Sequence, residues 1–383
     1  MVETFANAGD NLLEVARSAN VAIDAPCSGN GACGKCRVQL KSGELESKKT
    51  LHISDEEYQA GWRLSCCSKI SADVNVLVPY IASAYKSRMK VADLSSKEEI
   101  AIFENAKSDI QLAGIELKNS LEIVDVLMDV PSLDDTMPDN ERLTRALRKY
   151  LNINRVRIPY VVLKKLPDVL RENNFAVKCV IRATSDDMYV YDIFGKDEDV
   201  VIGGLAIDIG TTTVSAVLIN MENGEILAKS SAGNGQIRFG ADVINRIVES
   251  QKPGGQKKLQ DAVIKETINP MIHEMCKSAK FPKDHIYRMC VASNTTMNHL
   301  FAGINADPLR TEPYIPAFFK TNSLFASDVG VDINKDAHII MAPNIGSYVG
   351  GDITAGTLVS QIWNRPEFSL FIDLGTNGEL VFG

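Results

Sequence analysis

The sequence predicts a multidomain chain: a small cysteine-loop domain, a small α+β middle domain, and an α/β lobe in which strands and helices alternate. Three observations predict it. Three cysteines stand in a glycine-rich loop, with a fourth far downstream. A polar, charged stretch then separates this head from the remainder. Last, two apolar strand–turn–strand segments turn on Asp-x-Gly, at Asp208 and at Asp373.

A chain of 383 residues with 45% hydrophobic and 23% charged residues has the composition of ordinary globular domains, and room for two or three of them. The net charge of −8 excludes nucleic acid as the main partner. No apolar run of about 18 residues is present, which excludes a membrane partner or span by this criterion. The start lacks a basic-then-apolar signal pattern, and eight cysteines with no disulfide-like spacing suit a reducing compartment, so a cytoplasmic location is expected.

In order along the chain, Val2 to Phe5 reads as the end of a strand. Asn11 to Ser18 reads as a helix with Leu12, Val15 and Ala16 on one face and Leu13 at its edge. The loop Cys27-Ser-Gly-Asn-Gly-Ala-Cys33-Gly-Lys-Cys36 follows, and Arg63-Leu-Ser-Cys66-Cys67 supplies the distant fourth thiol. Each iron of a 2Fe–2S cluster takes two thiolates besides the bridging sulfides, so four cysteines meet its need. Small residues between them let the backbone wrap such a cluster. A zinc knuckle or a disulfide is the alternative, disfavoured by the small-residue loop. Cys67 competes with Cys66 for the fourth place, while Cys179, Cys276 and Cys290 read as buried structural thiols.

Val38 to Leu40 and Val74 to Val78 read as strands, and Pro79 closes a first domain at residues 1–80. Residues 81–120 read as a linker. In a middle domain, 121–200, the pattern predicts a strand over Leu121 to Val130 and a helix over Asp139 to Leu151. A strand over Val156 to Leu163 and a helix over Pro167 to Asn173 come next, then strands over Val177 to Ala183 and Met188 to Phe194. Nothing in this block forms a reactive constellation, so docking or homodimerisation is its expected use.

Residues 201–383 change character. Strand, turn and strand run through Ile-Asp208-Ile-Gly210-Thr211-Thr212-Thr213, and Glu225 to Ser230 adds a third strand. Gly210 allows close approach, and the threonines offer N–H and hydroxyl donors to phosphate oxygens. A carboxylate such as Asp208 would meet phosphate through Mg²⁺ or its waters. The same design recurs at Asp373-Leu-Gly375-Thr376-Asn377-Gly378. Between the two lie a helix from Asp242, and a helical stretch Gln256 to Lys280 that Pro270 kinks or divides. A strand Tyr287 to Ala292 follows, then a turn at Ser293-Asn294 into a helix, and a Gly-rich stretch ending Gly350-Gly351-Asp352 that enters another. His299, beside Met297 and Leu300, reads as a packed helix residue rather than a ligand.

The cysteine loop resembles the 2Fe–2S ferredoxins of the adrenodoxin group, which implies a β-grasp domain whose opening hairpin lacks its first strand here. The paired Asp-x-Gly hairpins resemble the phosphate motifs of the actin, sugar-kinase and heat-shock-chaperone ATPases, which implies a ribonuclease-H-like ATPase lobe. Together with Gly-Ala-Asp242-Val-Ile, Asn294-Thr-Thr-Met-Asn-His-Leu and Pro343-Asn-Ile-Gly-Ser-Tyr-Val-Gly-Gly-Asp352, the whole resembles the reductive activators of corrinoid proteins. That resemblance implies ATP-dependent one-electron reduction of Co(II) to Co(I) on a corrinoid protein, with an electron donor left unnamed. It implies a cluster on Cys27, Cys33, Cys36 and Cys66. Gly210, Thr211, Thr212 and Thr213, with Gly375, Thr376, Asn377 and Gly378, would bind ATP, and Asp208 and Asp373 would position Mg²⁺ or the attacking water. It also implies a second ATPase lobe, of which Gly383 would reach only the first hairpin. An ATP-driven reductase of another low-potential acceptor, and a non-enzymatic iron–sulfur carrier or sensor, are the alternatives.

Overall fold

The computed structural model describes residues 2–19, 21, 23, 25, 31, 34–79, 97–117, 120–151, 153–321, 324–375 and 378–383. Three sheet systems follow one another along the chain.

The first contains β1 (Arg37–Ser42), β2 (Leu45–Ser47), β3 (Trp62–Leu64), β4 (Ser68–Ile70) and β5 (Asn75–Leu77). β1 lies between β3 and β5, antiparallel to both, while β2 pairs with β4. The helix Leu12–Ser18 is capped by Asn11, whose side chain accepts from the Leu13 N–H, and it buries Leu12 and Leu13 against Val38, Leu64 and Ile70. Leu13, expected at the edge of the apolar face, is instead 1% exposed. Val2 to Phe5 forms no strand. Its side chains face solvent, and apolar alternation without a pairing partner does not hold a strand.

In the second system, β6 (Leu121–Leu127), β7 (Arg155–Arg157), β8 (Ala176–Ala183) and β9 (Asp187–Gly195) make a sheet in the order β6-β8-β9-β7. The helices Asp139–Leu151 and Tyr160–Glu172 cover one face and bury Leu143, Leu147, Val162, Leu166 and Leu170. Here the expectation of a strand from Val156 to Leu163 is corrected. Only Arg155–Arg157 is a strand, Pro159 caps the next helix, and Pro167 sits inside that helix rather than at its start.

The third system is a six-stranded sheet of β10 (Gly203–Ile209), β11 (Thr213–Asn220), β12 (Ile226–Gly233), β13 (Ile286–Ala292), β14 (Leu324–Phe325) and β15 (His338–Met341). Its order is β12-β11-β10-β13-β15-β14. β10, β11 and β12 form an antiparallel meander, and β13 and β15 then run parallel to β10. One face is sealed by the helices Gly255–Val263, Asn269–Ala279 and Thr295–Ala302, whose Leu259, Val263, Ile272, Met275, Leu300 and Phe301 are buried. The expected division near Pro270 is present as a π-helical turn, Ile264–Ile268, with Pro270 in the first turn of the helix that follows. Cys290, expected to be buried, faces out from β13 because its alternate position lies on the other face.

A separate hairpin, β16 (Leu370–Leu374) and β17 (Gly378–Phe382), completes the described chain and leaves Leu374, Leu380 and Phe382 exposed. The middle sheet packs on the larger one through Leu121, Val180, Tyr191, Phe194, Ile202 and Tyr287. The helix Lys97–Leu112 lies against the helix Gly351–Ser360. Among the described residues no helix is long and apolar enough to cross a membrane.

Candidate functional site

Two separate groups of side chains could do chemistry. The first is the thiol group. Of the four proposed ligands, Cys27 and Cys33 lie outside the described residues. Cys36 opens onto β1 and is 1% exposed, and its Sγ stands 3.2 Å from Sγ of Cys66. Cys66 sits in the 3₁₀ turn Ser65–Cys67, and the Ser65 N–H donates to the Cys36 carbonyl at 2.9 Å, tying the two segments together. The Asn11 amide donates to the Cys66 carbonyl at 2.8 Å, so the helix also holds this turn. Arg63 donates to the carbonyls of Tyr58 and Trp62 at 2.6 and 2.7 Å, which fixes the chain entering it.

Two thiolates on one tetrahedral metal stand roughly 4 Å apart or less, given bonds of about 2.3 Å. Cys36 and Cys66 therefore fit a single iron. The Cys66 thiol facing it holds the Cys36 thiol down to about 6, while Cys36 and burial push Cys66 up. Cys67 Sγ lies 3.6 Å from Cys66 Sγ, on the neighbouring position. Among the described residues no three His, Cys, Asp or Glu side chains stand close enough to share a metal ion directly, the carboxylates near Asp208 included.

The second group surrounds the end of β10. Asp208 is solvent-exposed, and its carboxyl is pushed up to about 6 by desolvation and by the nearby charges of Asp352 and Asp373. Asp352 is raised in turn, first by desolvation and also by Asp373. The structure thus gathers three carboxylates from three places: a strand end, the first turn of the helix Gly351–Ser360, and β16. The sequence places Asp352 only in a Gly-rich stretch opening a helix and gives it no role. An acid in the first turn of a helix is ordinary, so no local signal separates it from a capping charge.

Asp208 leads into the loop Gly210–Thr213. The Gly210 N–H donates to the Thr213 carbonyl at 2.9 Å, and a Cβ at Gly210 would stand 2.7 Å from that oxygen, so no larger residue fits. Thr211 is buried, Thr212 and Thr213 half-buried. Among the described residues the N–H groups of Thr211 and Thr212 have no acceptor. Gly350 packs its Cα directly over Asn294, where a Cβ would meet the Asn294 Cα at 2.3 Å, and this brings the helix bearing Asp352 to the end of β13. In the second Asp-x-Gly hairpin, Gly375 and Gly378 flank Thr376 and Asn377, which lie outside the described residues.

His299 is fully buried, with Nδ1 on the Thr295 carbonyl at 2.8 Å and Nε2 accepting from the Ala317 N–H at 3.0 Å. Burial lowers its pKa. Both nitrogens are used, so it is a packed helix residue.

Residues 2–71 match the family model of the 2Fe-2S iron-sulfur cluster binding domain. Residues 110–200 match the RACo linker region and residues 203–365 the RACo middle region. The corrinoid activation enzyme RamQ of Eubacterium limosum is 28% identical over 372 residues, which is 97% of this chain and 56% of that protein. A solved structure, a reductive activator for corrinoid, iron-sulfur protein, superposes with a TM-score of 0.62 at 34% identity, over 99% of this chain and 59% of its own. The first domain alone is similar to one component of the Na(+)-translocating NADH-quinone reductase of Actinobacillus succinogenes, 39% identical over 74 residues, or 19% of this chain and 18% of that component. The chain therefore spans somewhat more than half the length of the two corrinoid relatives it matches.

Proposed function

For a chain that is RACo-like, with a 2Fe–2S domain at its head, we propose ATP-dependent reductive activation of a corrinoid protein, returning Co(II) to Co(I) by one electron. One observation carries this reading: a thiol pair 3.2 Å apart and a group of three neighbouring carboxylates, Asp208, Asp352 and Asp373, occur on one chain. Cys36 and Cys66, with Cys27 and Cys33 from the loop, would hold the cluster, which supplies a one-electron donor at about −400 mV. Cys36 and Cys66 would share an iron, and Asn11 and Ser65 keep their backbones in place for it.

Beyond desolvation, the charges of Asp352 and Asp373 raise the pKa of Asp208, and that of Asp373 raises Asp352. That is the electrostatic state a divalent cation relieves, so Asp208, Asp352 and Asp373 would hold Mg²⁺ through its waters. The N–H groups of Thr211 and Thr212, without an acceptor among the described residues, suit phosphate oxygens. A ribonuclease-H-like lobe is supported by the antiparallel meander β10–β12 continued by the parallel strands β13 and β15. For one electron, about 59 mV of potential gap is a tenfold change in equilibrium. Nucleotide binding that favours one conformation of the complex could offset a few such steps.

The test is anaerobic. The protein is mixed with a Co(II) corrinoid protein and a low-potential reductant, and Co(I) absorption is followed with and without Mg²⁺–ATP. Co(I) should form only with ATP, and be lost in Cys36→Ala and in Asp208→Ala. Reduction that ignores ATP would favour a plain electron carrier. No Co(I) despite a reducible cluster and bound nucleotide would point to another low-potential acceptor.

A further inference from the structure

The loop Gly210–Thr213 is gripped from behind by three side chains on three elements. Arg246 is fully buried on the helix Val243–Ser250 and donates to the Thr211 carbonyl, with its Nε on the Gly240 carbonyl at 2.9 Å. Asn234, just after β12, donates its amide to the Gly210 carbonyl and its backbone N–H to the Thr212 carbonyl, both at 2.8 Å. Asn294, at the end of β13, donates to the Thr211 hydroxyl at 3.3 Å. Three successive carbonyls of the loop are thus taken by interior donors.

In a trans peptide the carbonyl and the following N–H point opposite ways. Capturing the carbonyls of Gly210 and Thr211 from inside therefore turns the N–H groups of Thr211 and Thr212 away from the interior. Neither of those two N–H groups has an acceptor among the described residues. The stretch Gly-Ala-Asp242-Val-Ile-Asn-Arg246 acquires a reason. Asp242 caps the helix, accepting from the Asn245 N–H at 2.8 Å, and so aims Arg246 at the loop one turn later.

We propose that Arg246 is a positioning residue for phosphate, fixing the Thr211–Thr212 peptide so that its N–H rather than its carbonyl meets the ligand, with Asn294 as its helper. The proposal rests on the nucleotide reading above. Asn234 holds the peptides on either side, but without the guanidinium this one loses the donor on its own carbonyl, and a carbonyl dipole presented to a phosphate repels it.

The experiment titrates Mg²⁺–ATP into the whole chain by calorimetry, for the wild type, Arg246→Met, Arg246→Lys and Asn294→Ala. Thermal melting and the visible absorption of the cluster check that each variant is folded. Arg246→Met should lose about tenfold or more in affinity, the range of a hydrogen bond to a charged group, and Arg246→Lys should recover part of that loss. A purely structural Arg246 would cost melting temperature and leave the affinity of the folded fraction unchanged, and that result overturns the proposal. Should Arg246→Met fail to fold, a cycle of Asn294→Ala with Thr211→Val decides. The double variant should be no weaker than either single one, and additive losses count against the clamp. A wild type that binds no Mg²⁺–ATP defeats the nucleotide reading and this proposal with it. A binding wild type beside an indifferent Arg246→Met defeats the clamp alone.

Discussion

Asp208 is the residue on which pH should act most visibly. Its carboxyl, pushed up to about 6, stays protonated in the fold where the unfolded chain has already ionised, from about pH 4 upward. The folded state then binds more protons than the unfolded state, so stability falls as pH rises from about 4 to about 6. Asp352, raised for similar reasons, acts in the same direction. Asp208→Asn removes that liability. Without divalent cation at pH 8 the variant should unfold at higher urea than the wild type, by less than about 1 kcal/mol because the site is open to solvent. The difference should vanish near pH 4, and an advantage that persisted there would exclude the electrostatic cause. At the thiols, Cys67→Ser should keep the cluster's visible absorption and Cys66→Ser should lose it, since Cys66 is the one 3.2 Å from Cys36. Asp208, Asp373 and the cysteines stand out as candidates in the sequence because their spacing is itself chemical. Asp352 and Arg246 do not, because only the approach of separate elements brings one near Asp208 and the other to the Thr211 carbonyl.

At the scale of elements, the amphipathic helices and the alternating strands could be read from periodicity, and the failures lie where tertiary context decided. Val156 to Leu163 is β-branched and apolar, yet Pro159 interrupts it, and Val162, Leu166 and Leu170 recur every four residues on one helical face. Tertiary burial of that face overrode local strand preference. The fully buried Leu166 should thus behave as a helix core residue. Leu166→Ala should cost about 2–5 kcal/mol in urea unfolding with an unchanged slope, whereas a loss below about 1 kcal/mol would mean that the helix does not pack as described. Val2 to Phe5 failed the opposite way, since its pattern was strand-like and no edge received it.

For the whole molecule, the question is whether the middle sheet and the larger sheet act as one body. Tyr287 of β13 is fully buried in the core they share, and its hydroxyl donates to Asp192 of β9 at 3.2 Å, beside the ion pair of that carboxylate with Lys165. His338 of β15 meets Tyr191 of β9 edge to face, with ring centroids 6.5 Å apart, and Arg182 of β8 reaches its Nε2 at 3.4 Å. Contacts between domains of a chain commonly permit relative motion unless they are large and apolar. This one joins an apolar centre to oriented polar contacts, so the two sheets should unfold together in calorimetry. Tyr287→Phe removes only the hydroxyl, leaves Asp192 paired with Lys165, and should cost about 1 kcal/mol with the single transition kept. Tyr287→Ala empties the centre of the interface and should split the transition in two, the middle sheet and the larger sheet melting separately. Two transitions in the wild type would show that the sheets are independent. One transition in Tyr287→Ala would move the coupling to the Arg182–His338 side of the contact, where His338→Ala would then have to split it.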